Sequence, residues 1–167
     1  NYIDGEWVES ETGETFESWN PADCDDVIGT FQQSGEADAE RAVEAAVTAT
    51  ETWANTPAPE RGAVLREASG NLEARKDELT DTLVREEGKA RPEAAGEVQR
   101  AIDIFAYYGA KASDLGGDVK SSSSRDTTLY TTNEPIGVAG LITPWNYPIA
   151  IPAWKVDPAV ETRTMVG

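Results

Sequence analysis

The segment that most restricts what this chain can fold into runs from Ile136 to Pro148. Ile136-Gly137-Val138-Ala139-Gly140-Leu141-Ile142 is a near-continuous apolar run, the pattern of a strand buried on both faces of a parallel sheet. Thr143-Pro144-Trp145-Asn146-Tyr147-Pro148 stops it. Two prolines four residues apart fix the backbone and withdraw amide donors. Asn146 is therefore expected on a stiff turn at the carboxyl end of the strand, and Ile149 to Ala159 reads as the helix that follows. Ligands of open α/β sheets bind at that end of the strands.

Upstream, the first forty or so residues read as β-rich. Tyr2-Ile3 and Trp7-Val8 flank Asp4-Gly5, a dipeptide suited to a tight hairpin. Thr15 to Trp19 and Val27 to Phe31 read as short strands around the turn Asn20-Pro21-Ala22-Asp23. Three helices are then expected. The first presents Ala42, Val43, Ala46, Val47, Thr50 and Trp53 at three-four spacing. The second has Thr56 as cap and Pro57 in its first turn, a face through Val64, Leu65, Ala68, Leu72, Leu79 and Leu83, and Gly88 as its left-handed stop. The third starts near Pro92 and turns Ala95, Val98, Ile102, Phe105 and Tyr108 inward. These faces are most simply core. Gly116-Gly117 breaks the helix, and Thr127 to Thr132 alternates like a half-exposed edge strand that seeks a partner chain.

Composition bounds the partners. Thirty-one acidic residues face fourteen basic ones, five of them lysine, for a formal charge of −17. Phosphate binding needs a positive footprint, so nucleic acid and anionic membrane surfaces are poor partners. No apolar stretch is long enough to cross a bilayer and no signal peptide is visible, so a cytoplasmic protein is expected. Such a surface stays hydrated at high salt, where its self-repulsion is screened, which suggests a halophilic source over a merely acidic protein. With no histidine and a lone Cys24, no metal site is expected. The first residue already sits in strand-like sequence, so the start reads as trimmed.

Several blocks together resemble the aldehyde dehydrogenase superfamily. Glu134-Pro135-Ile136-Gly137-Val138, Thr143-Pro144-Trp145-Asn146-Tyr147-Pro148 and Ala153-Trp154-Lys155 are similar to its signature. Tyr2-Ile3-Asp4-Gly5-Glu6-Trp7, Asn20-Pro21-Ala22, Ala42-Val43-Glu44-Ala45-Ala46 and, loosely, Glu87-Gly88-Lys89 follow the family's order from Asn1 to about Val160. The resemblance implies an α/β fold: the N-terminal part of a Rossmann-like cofactor-binding domain over residues 1–160. It comprises short β-strands, three helices, a β arm at about 116–134 that pairs subunits, and an incomplete parallel sheet. It implies oxidation of an aldehyde to a carboxylic acid with NAD or NADP, and a homo-dimer or homo-tetramer when intact.

By the same resemblance, Asn146 matches the residue whose amide donates to the oxyanion formed when a cysteine thiolate attacks the aldehyde. Ile142, Thr143, Pro144 and Trp145 match residues along the cofactor, and Lys155 matches a lysine given a charge-relay role. Residue types alone also allow Asn146 to cap the next helix, Trp145 to pack as core and Lys155 to be a solvated charge.

The departures matter as well. The family's nucleophilic cysteine, general-base glutamate and glycine-bearing cofactor loop lie beyond the matched region. Cys24, flanked by Asp23, Asp25 and Asp26 in the N-terminal β region, is a poor stand-in. Residues 161–167 read as a divergent tail, without the glycine turn and second strand that the family would place there. The chain is thus expected to be a truncated enzyme, inactive alone and loosely packed near its C-terminus. The competing readings are a non-catalytic interaction or oligomerisation module and a degenerate product. The signature's style suggests a semialdehyde substrate.

Overall fold

The computed structural model describes residues 1–166; Gly167, the last residue of the expected tail, lies outside the described residues. Among the described residues, four strands are followed by four α-helices, three further strands, a fifth α-helix and an eighth strand in an α/β arrangement, and the strands form four two-stranded sheets. The first is the expected hairpin, β1 (Tyr2–Ile3) against β2 (Glu6–Trp7). Asp4 and Gly5 both take positive φ, 54° and 80°, as a two-residue turn that matches strand twist requires. The second pairs β3 (Thr15–Asn20) with β4 (Asp23–Gln32), and Phe16 lies across from Phe31.

The helical core is built around α4 (Arg91–Lys111). Leu83, Ala94, Val98 and Ile102 form one buried cluster, and Leu72, Leu79, Val84 and Ile149 close over it. Each fully buried aliphatic side chain contributes about 1.5–3 kcal/mol of transfer free energy. α2 (Ala58–Ala74) crosses α4 where Gly62 meets Gly109. A methyl group on Gly62 would lie 2.5 Å from the Gly109 carbonyl oxygen, so the approach requires glycine.

Three helical expectations are corrected. The helix expected from Thr56 to Gly88 is two helices, α2 and α3 (Lys76–Glu87), broken at Arg75. Leu72 and Leu79 lie seven residues apart, so their periodicity continues across the break, and both still reach the cluster on α4. The cap also shifts. Pro57 takes the N-cap position, Thr56 donates its hydroxyl back to the Thr52 carbonyl, and Gly88 ends α3 at φ 66° as expected. In α1 (Glu36–Asn55) only part of the expected face is covered: Ala46 is buried, whereas Val43 and Val47 are exposed, as is Val64 of α2.

The apolar run is the larger correction. Only Val138–Ala139 (β7) is a strand, and it is half-buried; Ile136 and Ile142 are exposed. Among the described residues β7 has one neighbour, so most of the run has nothing to pair with or pack under. That neighbour is β8 (Met165–Val166), which pairs with β7 in parallel after the intervening α5 (Ala150–Glu161). A second parallel strand therefore does follow the helix, inside the stretch where the sequence suggested none. The expected arm is a short exposed antiparallel ribbon, β5 (Val119–Lys120) with β6 (Leu129–Tyr130). No helix among the described residues is long and apolar enough to cross a membrane.

Candidate functional site

The strand β7 and the turn after it bring five of the sequence's six candidate residues to one end of the small parallel sheet. Ile142, Thr143, Pro144, Trp145 and Asn146 follow one another on the loop between β7 and α5. Thr143 is half-buried and Pro144 exposed. Ile142 and Trp145 are 93% and 83% exposed, apolar surface with no cover among the described residues. Asn146 is also exposed, on the turn itself. Lys155 stands apart on the exposed flank of α5.

Asn146 does not act as the cap of α5. The first amides of that helix, on Ile149 and Ala150, donate to Oε1 of Glu97 at 3.0 and 3.3 Å. Glu97 belongs to α4 and is 2% exposed. A buried carboxylate is tolerable only when paired and hydrogen-bonded. Here its other oxygen, Oε2, accepts from the Lys89 ammonium, while the positive end of the α5 dipole faces Oε1.

Lys89 completes the arrangement. Its Nζ also ion-pairs with Glu87 at 2.7 Å, donates to the Asn146 backbone carbonyl at 2.9 Å, and lies 4.4 Å from the centre of the Tyr147 ring. Burial works against its charge, but the hydrogen bonds to Glu87 and Glu97 outweigh it and raise the ammonium above the usual lysine range. A cleft beside this turn is lined by Glu93, Gly96, Glu97, Arg100, Tyr147, Ala150, Ile151 and Trp154.

Sequence reasoning missed Glu97 and Arg61, and took Lys89 only as part of a loose match. Arg61 is fully buried on α2 and donates from Nε and Nη2 to the Glu161 carbonyl at 3.1 and 2.9 Å, holding the carboxyl end of α5. A signal was available in each case. Glu97 falls among Ala94, Val98 and Ala101, and Arg61 is in step with Leu65, Ala68 and Leu72, so each is a charge on an inward helical face. Cys24 is exposed on β4, in the N-terminal hairpin and not on the elements that form this turn.

The arrangement can present a neutral amide, on a turn held from both sides, to a ligand in front of the β7 end. The family model that matches is described as the aldehyde dehydrogenase family and spans residues 7–166. The alpha-ketoglutarate semialdehyde dehydrogenase of Haloferax volcanii is 64% identical over 166 residues, covering 99% of this chain and 34% of that protein. The Bacillus subtilis alpha-ketoglutaric semialdehyde dehydrogenase is 43% identical over 160 residues, covering 96% and 33%. A betaine aldehyde dehydrogenase from Staphylococcus aureus, solved with NAD+ bound, superimposes with a TM-score of 0.93 at 34% identity, covering 99% of this chain and 34% of its own. The chain thus spans about a third of the length of the relatives it matches.

Proposed function

The chain belongs to the aldehyde dehydrogenase family, and from that premise we propose that it forms the oxyanion-holding part of an enzyme that oxidises an aldehyde to a carboxylic acid. The observation that carries the reading is Asn146, exposed on a turn whose backbone is fixed by Lys89 on one side and Glu97 on the other. As a nucleophile adds to the aldehyde carbon, the carbonyl oxygen gains negative charge. The Asn146 amide N–H donates to that oxygen, and being neutral it releases the product without an opposing charge. The cysteine nucleophile and general-base glutamate of that reaction are proposed to come from beyond the third of the relatives' length that this chain matches.

Residues here fit one wall of a nicotinamide cofactor, NAD or NADP. Ile142 and Trp145 offer exposed apolar surface beside the turn against which a planar ring can lie, and the Thr143 hydroxyl and the rigid Pro144 sit between them. When bound, that group would supply the hydride acceptor for the oxidation. Lys155, on the exposed flank of α5, is proposed as a proton relay to solvent.

The substrate is proposed to be a semialdehyde of the 2-oxoglutaric type, from the names of the two relatives. The β5–β6 ribbon, roughly residues 116–134, is proposed to pair subunits as a homo-dimer or homo-tetramer. The test is turnover of the full-length protein: reduced nicotinamide should accumulate when 2-oxoglutaric semialdehyde is added with NAD+ or NADP+. No turnover with any aldehyde overturns the reading.

The excess of carboxylates is proposed to reflect a halophilic source, and a cytoplasmic one. Molar KCl should raise the melting temperature by several degrees, because like charges are screened within about 3 Å at 1 M salt. A melting temperature indifferent to salt contradicts it.

A further inference from the structure

Buried Glu97 and partly buried Lys89, two charges that sequence reasoning did not weigh, do more than stabilise a helix junction. We propose that they are positioning residues for Asn146, an inference that rests on the oxyanion reading above.

The case begins with how completely each group is used. An ammonium has three N–H donors. Lys89 donates to the Glu97 carboxylate and to the Asn146 carbonyl at 2.9 Å, ion-pairs with Glu87 at 2.7 Å, and has the Tyr147 ring under its charge. Glu97 divides its two oxygens with the same economy. Oε2 takes Lys89, and Oε1 takes the amides of Ile149 and Ala150. The turn is therefore gripped at its carbonyl before Tyr147 and at its amides after Pro148, with a proline between the two grips. All the grips come from α4, which carries most of a buried cluster, or from the loop that precedes it.

Chemistry explains why such a grip is useful. A donor to a developing oxyanion acts only if it is already aimed, and a displacement of about 1 Å can cost on the order of a hundredfold in rate. Asn146 is exposed, and the contact recorded for it is through its backbone, so its aim is inherited from the turn. Lys89 sets that turn without touching the substrate.

Two readouts test this. In the 167-residue chain, amide exchange at Ile149 and Ala150 in Glu97→Leu should quicken about tenfold beyond the acceleration that its loss of global stability imposes on every core amide. The Val98 and Ile102 amides, corrected for that same loss, should stay within threefold of the parent. Glu97→Gln, which retains an acceptor oxygen, should keep most of the protection and guards against a variant that fails to fold. Uniform acceleration across α4 and α5, or none, overturns the proposal.

In the full-length protein, Lys89→Met should lower kcat by about ten- to a hundredfold. The aldehyde KM and nucleotide Kd should stay within threefold, and Lys89→Arg should recover part of the loss. Asn146→Ala, run in parallel, separates the two claims. If Asn146→Ala is slow while Lys89→Met and Glu97→Leu turn over normally, positioning is wrong and the oxyanion reading stands. If Asn146→Ala itself turns over normally, both fall.

Discussion

The two ends of α5 handle buried charge in opposite ways. At the amino end, Glu97 of α4 is 2% exposed and every recorded bond to it is favourable: two helix amides and the Lys89 ammonium. At the carboxyl end, Asp157 is 0% exposed and neither of its oxygens has a hydrogen-bond partner. Desolvation pushes its carboxyl up to about 7. Glu161, one turn later, is buried and raised as well, chiefly by desolvation, with one oxygen orphaned. Pro158 interrupts the helix bonding there, and Arg163 sits at φ 69°, a conformation that suits glycine or asparagine better. Arg61 compensates in part by donating to the Glu161 carbonyl. The lesson is that burial of a carboxylate says little by itself. The partners decide whether it organises a site or loosens an element.

The sharpest break of this comparison is a pair of substitutions with opposite signs. Glu97→Leu should destabilise the chain by about 3 kcal/mol in urea unfolding, because it leaves two helix amides and part of the Lys89 charge without a partner. Equal stability of variant and parent would show that the amino end is no better satisfied than the carboxyl end.

Asp157→Ala should do the reverse and stabilise the chain by about 2 kcal/mol at pH 8. A shift from 3.8 to about 7 caps the charge penalty at roughly 4 kcal/mol, from which the lost packing subtracts. The sign follows from linkage. A carboxyl raised in the folded state favours folding when protonated, so the penalty is absent below about pH 4, grows as pH rises and is complete above about 7. The gain from Asp157→Ala should vanish in melts at pH 4. A gain that is independent of pH would mean that packing, not charge, limits this end.

Arg163→Gly should bring a smaller stabilisation, about 1 kcal/mol, by removing the side chain from a left-handed position. No gain, or a loss, would mean that the Arg163 side chain makes up for its backbone. The acid limb should be governed elsewhere. Asp26 is lowered to about 2 by its hydrogen bonds from Arg85 and then Asn20, so the stability it lends is present above about pH 4 and is lost as pH falls toward 2.

The same comparison explains what the sequence could disclose. Hydrophobic spacing located α4, and turn, stop and proline residues located the Asp4-Gly5 turn, the left-handed stop at Gly88 and α5, because those signals are local. It could not show the break at Arg75, since Leu72 and Leu79 keep their period across it, nor the short pairing of Met165–Val166 with β7. The run from Ile136 to Ile142 carried the signature of a central strand, yet burial depends on neighbours, and only Val138–Ala139 finds one among the described residues. The turn bearing Asn146 was legible from its prolines. Its support was not read, although Arg61, Glu97, Asp157 and Glu161 all stand as charges on inward faces, a pattern that sequence alone displays.

The central claim is that Asn146 holds the oxyanion. The most direct measurement is the first-turnover rate of hydride transfer in the full-length protein carrying Asn146→Ala, with aldehyde and nucleotide saturating. The expected result is a fall of about a hundredfold or more, with nucleotide affinity unchanged within threefold. A first turnover as fast as that of the parent would contradict it.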